Sequence, residues 1–326
     1  MESQPIKHIA VMTSGGDAPG MNPCIRAVVR TAMANNMKVS GIIGGYDGLI
    51  KGNFKTLGAR DVGGIIQRGG TILMTAGSDA FLTGQGQREA VRQLNSAGIE
   101  GLIVIGGDGS INGTQVLSQK GVKVIGIPAS IDNDIPGTDM SIGVDTALNT
   151  IVDAIDKLRD TASSHNRAFI VETMGKTSGY LALRAGVVCG AEITLIPEIE
   201  TPVKEVIAAV ENAYNRGKTH CIIVMAEGFH TGAAELAKEI DAMNIGFNLR
   251  VTLLGHVQRG GGPTAFDRWL ATRYGVKAVE LLVEGKSGVM TVLAGSEVVG
   301  IPFEDLHKYH KSTPEDYYRI SHILSR

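Results

Sequence analysis

The residues best suited to chemistry fall in one short segment. Pro128-Ala129-Ser130-Ile131-Asp132-Asn133-Asp134 follows an apolar run and sets two carboxylates two positions apart. In an extended loop such positions point to the same side, so Asp132 and Asp134 would face one cavity. Two carboxylates there hold a cation, accept a proton or separate in acidity. The plain alternative is an Asx turn in which they cap nearby amides. A third acid, Asp108, lies in Ile105-Gly106-Gly107-Asp108-Gly109-Ser110. If the three converge, Asp108 would serve a magnesium ion and Asp132 a hydroxyl proton, which is what phosphoryl transfer needs.

Glycine marks the ends of the apolar runs. Thr13-Ser14-Gly15-Gly16-Asp17 echoes the Gly-Gly-Asp of residues 106–108, and each precedes a helical pattern. Without Cβ atoms a backbone can approach a polyphosphate, and free N–H groups at a helix start attract anions. The plain alternative is a pair of tight turns that need positive φ. Two standard nucleotide motifs nearly match and fail. Gly175-Lys176-Thr177-Ser178 resembles the end of a P-loop, but Ile170 stands where its first glycine belongs. Gly107-Asp108-Gly109 misses the dinucleotide fingerprint by one residue, because Asn112 precedes Gly113. Any phosphate site here uses another loop.

Basic residues suggest the second ligand. Leu254-Gly255-His256-Val257-Gln258-Arg259-Gly260-Gly261-Gly262 places an imidazole and a guanidinium beside a glycine run. That pair suits a phosphate monoester. Ser163-Ser164-His165-Asn166-Arg167 and Arg250 supply further cations, although a lone arginine is most often a solvated surface charge.

These groups need a scaffold. Residues 8–13, 101–105, 122–128, 168–174 and 221–226 are short apolar runs without alternation, as in strands covered on both faces. Residues 144–160 and 264–284 carry apolar side chains at three and four spacing, with most charges away from the stripe. Strands alternating with helices predict an α/β fold with largely parallel sheets. Ligands of such folds sit at the carboxyl ends of strands, where the glycine turns are. No 20–50-residue period exists, and no Pro- or Ser-rich tether divides the chain, so any domain split is made by chain crossings.

Counts narrow the class. The 326 residues suit two domains. A net charge of −2 argues against a nucleic-acid binder, which needs a basic face. No run of 18 apolar residues predicts a membrane span, and residues 1–8 do not begin a signal peptide. Cys24, Cys189 and Cys221 are scattered and suit a reducing, cytoplasmic setting. The 43 glycines show no collagen-like period and cluster between apolar runs.

Together the motifs TSGGDAPGMN (13–22), IGGDGS (105–110), SIDNDIPGTD (130–139), DTASSHNR (160–167), ETMG (172–175) and LGHVQRGG (254–261) resemble those of the bacterial ATP-dependent 6-phosphofructokinases, from Ile9 to about Gly288. The resemblance implies two three-layer α/β/α domains with mostly parallel sheets and an active site in the cleft between them. Residues 1–143 with 256–306 would bind ATP, and residues 144–255 with 307–326 fructose 6-phosphate. It implies transfer of the ATP γ-phosphoryl group to the sugar 1-hydroxyl in glycolysis, with Mg2+ as cofactor, in a cytoplasmic homotetramer.

Residue by residue, the resemblance makes Asp132 the general base, with Asp134 its helper and Gly16 at the transfer site. Gly16, Gly77, Ser78, Gly107, Asp108, Gly109 and Ser110 would hold ATP, with Asp108 on the metal. Ser130, Asp132, Met174, Gly175, Lys176, Glu227, His256 and Arg259 would line the sugar-phosphate pocket, with Arg167 and Arg250 entering from a neighbouring subunit. Arg26, Arg30, Arg159, Glu192, Arg216 and Lys218 match a site for ADP and phosphoenolpyruvate as effectors, with Thr219 in place of a frequent lysine. The departures lie on the ATP side. Gly77 and Leu82 stand where the family usually has arginines, Lys176 where arginine is common, and Ser130 where threonine is common. Arg88 or Lys176 would have to replace the lost cation. Gly109 and Ala129 are small where pyrophosphate-dependent relatives carry Asp and Lys, which leaves room for a nucleotide. Against this kinase stand a non-catalytic phosphosugar or nucleotide sensor, and a kinase with another donor or acceptor, such as pyrophosphate or sedoheptulose 7-phosphate. A nicotinamide dehydrogenase is disfavoured by the failed glycine fingerprint.

Overall fold

The computed structural model describes residues 5–309 and 314–324. Residues 1–4, 310–313 and 325–326, which the expected domain ranges include, lie outside the described residues. The strands are β1 (His8–Ser14), β2 (Lys38–Ile42), β3 (Phe54–Thr56), β4 (Gly101–Gly106), β5 (Val124–Pro128), β6 (Arg167–Thr173), β7 (Ile193–Leu195), β8 (His220–Ala226), β9 (Asn248–Leu253), β10 (Val289–Ala294) and β11 (Glu297–Pro302). The helices are α1 (Met21–Ala34), α2 (Gly45–Lys51), α3 (Gly84–Ser96), α4 (Asp108–Gln119), α5 (Val144–His165), α6 (Tyr180–Cys189), α7 (Val203–Asn215), α8 (Ala233–Asp241), α9 (Ala265–Val283) and α10 (Pro314–Leu324).

By contacts the chain divides into two units. The first holds residues 1–130, 134–146 and 259–311, and the second residues 131–133, 147–258 and 312–326. The first unit contains a seven-stranded sheet ordered β11-β10-β5-β4-β1-β2-β3. Its pairs are parallel except β2–β3 and β10–β11. Every residue of β4 and β5 is buried, as the unbroken apolar runs require for strands covered on both faces. One core joins Met12, Ile42, Leu102, Val104, Ile111, Leu117 and Phe303.

In the second unit, four parallel strands run in the order β7-β8-β6-β9. Ile170, Ile223 and Met225 pack there against Val206 and Val210 of α7 and Leu236 and Ile240 of α8. Both sheets are largely parallel, so the α/β expectation holds. The expected strands lie within two residues of the observed bounds. The helix expected to stop at residue 160 continues to His165, because Ala162 extends the buried stripe of Ile151 and Ile155. Helix α9 begins one residue inside its expected range, with the Thr264 hydroxyl accepting from the Asp267 N–H as N-cap. Among the described residues no helix is long and apolar enough to cross a membrane.

Candidate active site

In the first unit, β1 leads through α1 to β2 on one side, and β4 through α4 to β5 on the other. The crossovers therefore diverge between β1 and β4, the point where open parallel sheets leave a crevice for ligands. The register pairs Ser14 with Gly106, so both Gly-Gly-Asp turns emerge side by side there. Only one turn uses positive φ, at Gly15 (+81°). Gly107 is extended, at φ −80° and ψ −171°, and serves as N-cap of α4 without a side-chain bond. Asp108 and Gly109 are exposed in the first turn of α4, and Ser110 is buried. A Cβ on Gly109 would meet nothing within 4 Å, so the space beside this turn is open.

The segment from Thr71 to Ser78 braces the first turn. The Thr13 hydroxyl donates to the Met74 carbonyl at 3.0 Å, and the Thr75 hydroxyl to the Gly15 carbonyl at 2.8 Å. Ser78 donates to Asp47 and accepts from the Phe81 N–H. Gly77 is exposed, with nothing within 4 Å of where its Cβ would be. Leu82 is 79% exposed. Arg88 is exposed on α3, with its guanidinium near Gly84. Arg259 comes to the same turn. It donates to the Asp17 carbonyl at 3.2 Å and lies so close to Gly16 that a Cβ there would overlap its guanidinium. Gly16 is therefore small to admit an arginine from the 255–259 turn.

The Asp132–Asp134 segment corrects a sequence expectation. Alternation requires extended backbone through residue 133, but Asn133 has a left-handed φ of +48°. The two carboxylates are accordingly bound by different partners. Asp134 accepts from the Ser130 hydroxyl at 2.9 Å within the first unit. Asp132 belongs by contacts to the second, where its Oδ2 lies 3.1 Å from Lys176 Nζ. The Asp132 side chain is 2% exposed and that of Lys176 64%.

The second unit gathers Met174, Gly175, Lys176, Glu227 and His256 just beyond the carboxyl ends of three adjacent strands, β6, β8 and β9. Glu227 Oε1 accepts from the N–H groups of Gly175 (3.2 Å) and Lys176 (2.7 Å). These bonds hold Lys176 at a left-handed φ of +52°, costly for a residue with a side chain. Gln258, fully buried, accepts from the Met174 N–H at 3.2 Å and donates to the Gly255 carbonyl. Sequence reasoning quoted Gln258 but gave it no role; a glutamine in a glycine-flanked turn after a strand was the available signal. Glu172 was likewise unassigned. Burial first, and then the Glu227 charge, push its carboxyl above the usual range, while the Ala233 N–H at the start of α8 opposes this. Arg167 is the first residue of β6, at the opposite end of the sheet from Met174, and Arg250 is in mid-β9, paired with Phe169. The sheet does not bring them to its own carboxyl-end group.

Comparison with known proteins identifies the family of the chain. The family described as phosphofructokinase matches residues 8–282. A protein of Thermotoga neapolitana described as ATP-dependent 6-phosphofructokinase is 51% identical over 98% of this chain and all of its own length. One of Natranaerobius thermophilus with the same description is 52% identical, with the same coverage. The chain belongs to the phosphofructokinase family. Among solved structures, the phosphofructokinase of Saccharomyces cerevisiae superposes with a TM-score of 0.86 at 34% identity, over 98% of this chain and 48% of the yeast chain. A pyrophosphate-dependent phosphofructokinase of Marinobacter aquaeolei, 20% identical, shares the fold with a TM-score of 0.85 over 98% of this chain and 91% of its own.

The charged residues expected to bind effectors fall in two places. Arg26 and Arg30 are on α1, half-buried and exposed respectively. In the second unit, Glu192 is buried, paired with Lys218 at 2.8 Å and accepting from the Ile222 N–H at 2.6 Å. Arg159 donates to the Cys189 carbonyl and reaches His220 Nε2 at 3.5 Å, while His220 Nδ1 meets the Ser163 hydroxyl at 2.9 Å. Burial lowers the His220 pKa, Glu192 opposes the shift, and Arg159 and Lys218 reinforce it. Arg216 and Glu192 line a cavity of about 450 Å³ with Glu205, Tyr318 and His322. Sequence order thus brought Glu192, Arg216 and Lys218 to one region of the second unit.

Proposed function

We propose that the chain transfers the γ-phosphoryl group of ATP to the 1-hydroxyl of fructose 6-phosphate, giving fructose 1,6-bisphosphate and ADP. The observation that carries the site assignment is the buried Asp132 carboxylate ion-paired with Lys176, in a chain about half identical to ATP-dependent 6-phosphofructokinases. Asp132 takes the proton of the attacking hydroxyl. Asp134, bonded to Ser130, steadies the same loop. The ammonium of Lys176 is already at that carboxylate, 3.1 Å from its Oδ2. It supplies positive charge in a chain that has Gly77 and Leu82 in place of arginines.

ATP phosphates lie against the turns at Gly16 and at Gly107 to Ser110, with Gly77 and Ser78 beside them. Among the described residues no cluster of three or more His, Cys, Asp or Glu could cage a metal. Magnesium keeps its waters and takes one or two carboxylates plus substrate phosphates. Asp108, exposed at the head of α4, is the residue to hold it; bound there, Mg2+ neutralises charge on the phosphates. Met174, Gly175, Glu227, His256 and Arg259 hold the sugar phosphate. Arg167 and Arg250 serve a neighbouring copy of the chain in a homotetramer. Arg26, Arg30, Arg159, Glu192, Arg216 and Lys218 bind ADP or phosphoenolpyruvate as effectors. The setting is the cytoplasm, where Cys24, Cys189 and Cys221, free and buried, stay reduced.

The test is a coupled assay for fructose 1,6-bisphosphate with magnesium and either ATP or pyrophosphate. Turnover with ATP is expected. Turnover with pyrophosphate alone would reassign the donor. No turnover with retained fructose 6-phosphate binding would make the protein a sensor.

A further inference from the structure

The chain leaves the first unit inside α5, after Thr146, and re-enters it after Gln258. Close to both passages, the first turns of α5 and α9 are bonded in a closed ring. Asp267, fully buried in the first turn of α9, accepts from the Gly143 N–H at 2.9 Å, the Thr146 N–H at 2.8 Å and the Thr146 hydroxyl at 2.5 Å. The same Thr146 hydroxyl accepts from the Thr264 N–H at 3.1 Å. The Thr264 hydroxyl donates to Asp145 at 2.6 Å and accepts from the Asp267 N–H at 3.2 Å.

This is a capping box exchanged between two helices. In the ordinary box, the acidic residue three positions after the N-cap reaches back to the N-cap amide of its own helix. Here Asp267 crosses to cap α5, and the Thr264 amide it would have satisfied is taken by Thr146 of α5. The exchange has a purpose at this place. Between Arg259 and Thr264 lies Gly260-Gly261-Gly262-Pro263, with Gly261 at φ +89°, a link with little stiffness of its own. Arg259, at its far end, touches the Gly16 turn. The ring therefore fixes both the start of α5 and the end of the glycine link that carries Arg259.

We infer that the ring of Asp267, Thr146, Thr264 and Asp145 is a clasp that positions the site for phosphoryl transfer without touching substrate. It fixes the first turn of α5 and holds Arg259 at the phosphate turn. The inference rests on the proposed kinase reading. A clasp of this kind governs the transfer step more than the separate binding of either substrate, since small misplacements of reacting groups cost rate steeply.

The experiment compares Thr146→Val, Thr146→Ser and Asp267→Asn. It measures kcat at 20 °C, Tm, and the Kd of fructose 6-phosphate and of Mg-ATP, each alone. Thr146→Val and Asp267→Asn are expected to lower kcat about ten-fold or more, as misplaced reacting groups do, with the Kd of Mg-ATP within about two-fold and that of fructose 6-phosphate raised by clearly less than the loss in kcat, through Arg259. Thr146→Ser, which keeps the hydroxyl, restores kcat. A lowered Tm with kcat unchanged would reduce the ring to an ordinary cap and overturn the inference, as would Kd losses equal to the loss in kcat. If Asp267→Asn does not fold, the Thr146 pair decides. A wild-type protein that makes no fructose 1,6-bisphosphate overturns the kinase reading instead.

Discussion

At the scale of single residues, Asp132 combines burial, a cation at 3.1 Å and a turn that separates it from Asp134. Those features suit a base whose surroundings are set before substrate arrives. Asp132→Ser keeps a small polar group and removes the proposed proton acceptor. It is expected to lower kcat by ~10²–10⁴, the usual worth of a general base, while fructose 6-phosphate binding changes little. Rapid-quench turnover and equilibrium binding together check this; parallel losses in both would remove Asp132 from the base role. The residue types here were readable from sequence, and their directions were not. The same-side reading of Asp132 and Asp134 failed because Asn133, one of the residue types that tolerate positive φ, breaks the extended run. Lys176 was noted as a replacement for arginine, but its pairing with Asp132 depends on Glu227, which holds two amides from fifty residues away.

At the scale of elements, fully buried strands and long amphipathic helices were legible because burial on both faces imposes unbroken apolar runs. The strands that the pattern does not mark are short, at edges or interrupted by polar residues, as β2 is by Ser40 and β10 by Thr291. β3 and β7 have three residues each, and the edge strand β9 mixes Asn248, Arg250 and Thr252 with apolar residues. The exchanged caps of α5 and α9 are hidden for another reason: no spacing within one helix marks a bond from Asp267 to Thr146 of the other. Their exchange has a measurable electrostatic cost. Burial, reinforced by the Asp145 charge, pushes the Asp267 carboxyl up to about 6, against the bonds from Thr146 and Gly143. An unfolded Asp titrates near ~3.9, so between ~4 and ~6 the folded chain binds more protons than the unfolded one. This residue's contribution to stability therefore falls as pH rises through that window, by roughly 3 kcal/mol. Urea unfolding of wild type and Asp267→Asn at pH 4 and pH 7 tests the sign. Wild type should lose stability relative to the variant on going to pH 7. A relative gain would show that hydrogen bonding outweighs burial at this site.

At the scale of the whole molecule, one length separates Arg167 from the carboxyl-end group of its own sheet. Strand β6 has seven residues from Arg167 to Thr173, and at ~3.3 Å per residue it spans ~20 Å. Met174, Lys176, Glu227 and His256 lie beyond one end of this sheet, and Arg167 starts the other. An arginine side chain extends only a fraction of that distance, so a sugar phosphate held at the carboxyl end is out of reach of Arg167 in its own chain. If Arg167 contacts that phosphate, it does so in a second copy. The consequence is complementation. Arg167→Ala should weaken fructose 6-phosphate binding, and Asp132→Ser should cut turnover steeply, each when prepared alone. When the two are unfolded together and refolded as hybrids, some sites combine an intact Asp132 with an intact Arg167 from the neighbour. With random assortment about a quarter of all sites qualify, because each requirement is met half the time. Activity near that fraction of wild type, absent when the separately folded variants are merely mixed, is the expected result. Activity no greater than the sum of the two parents would place Arg167 outside the shared site, and the chain would then carry out its reaction with the residues of a single copy.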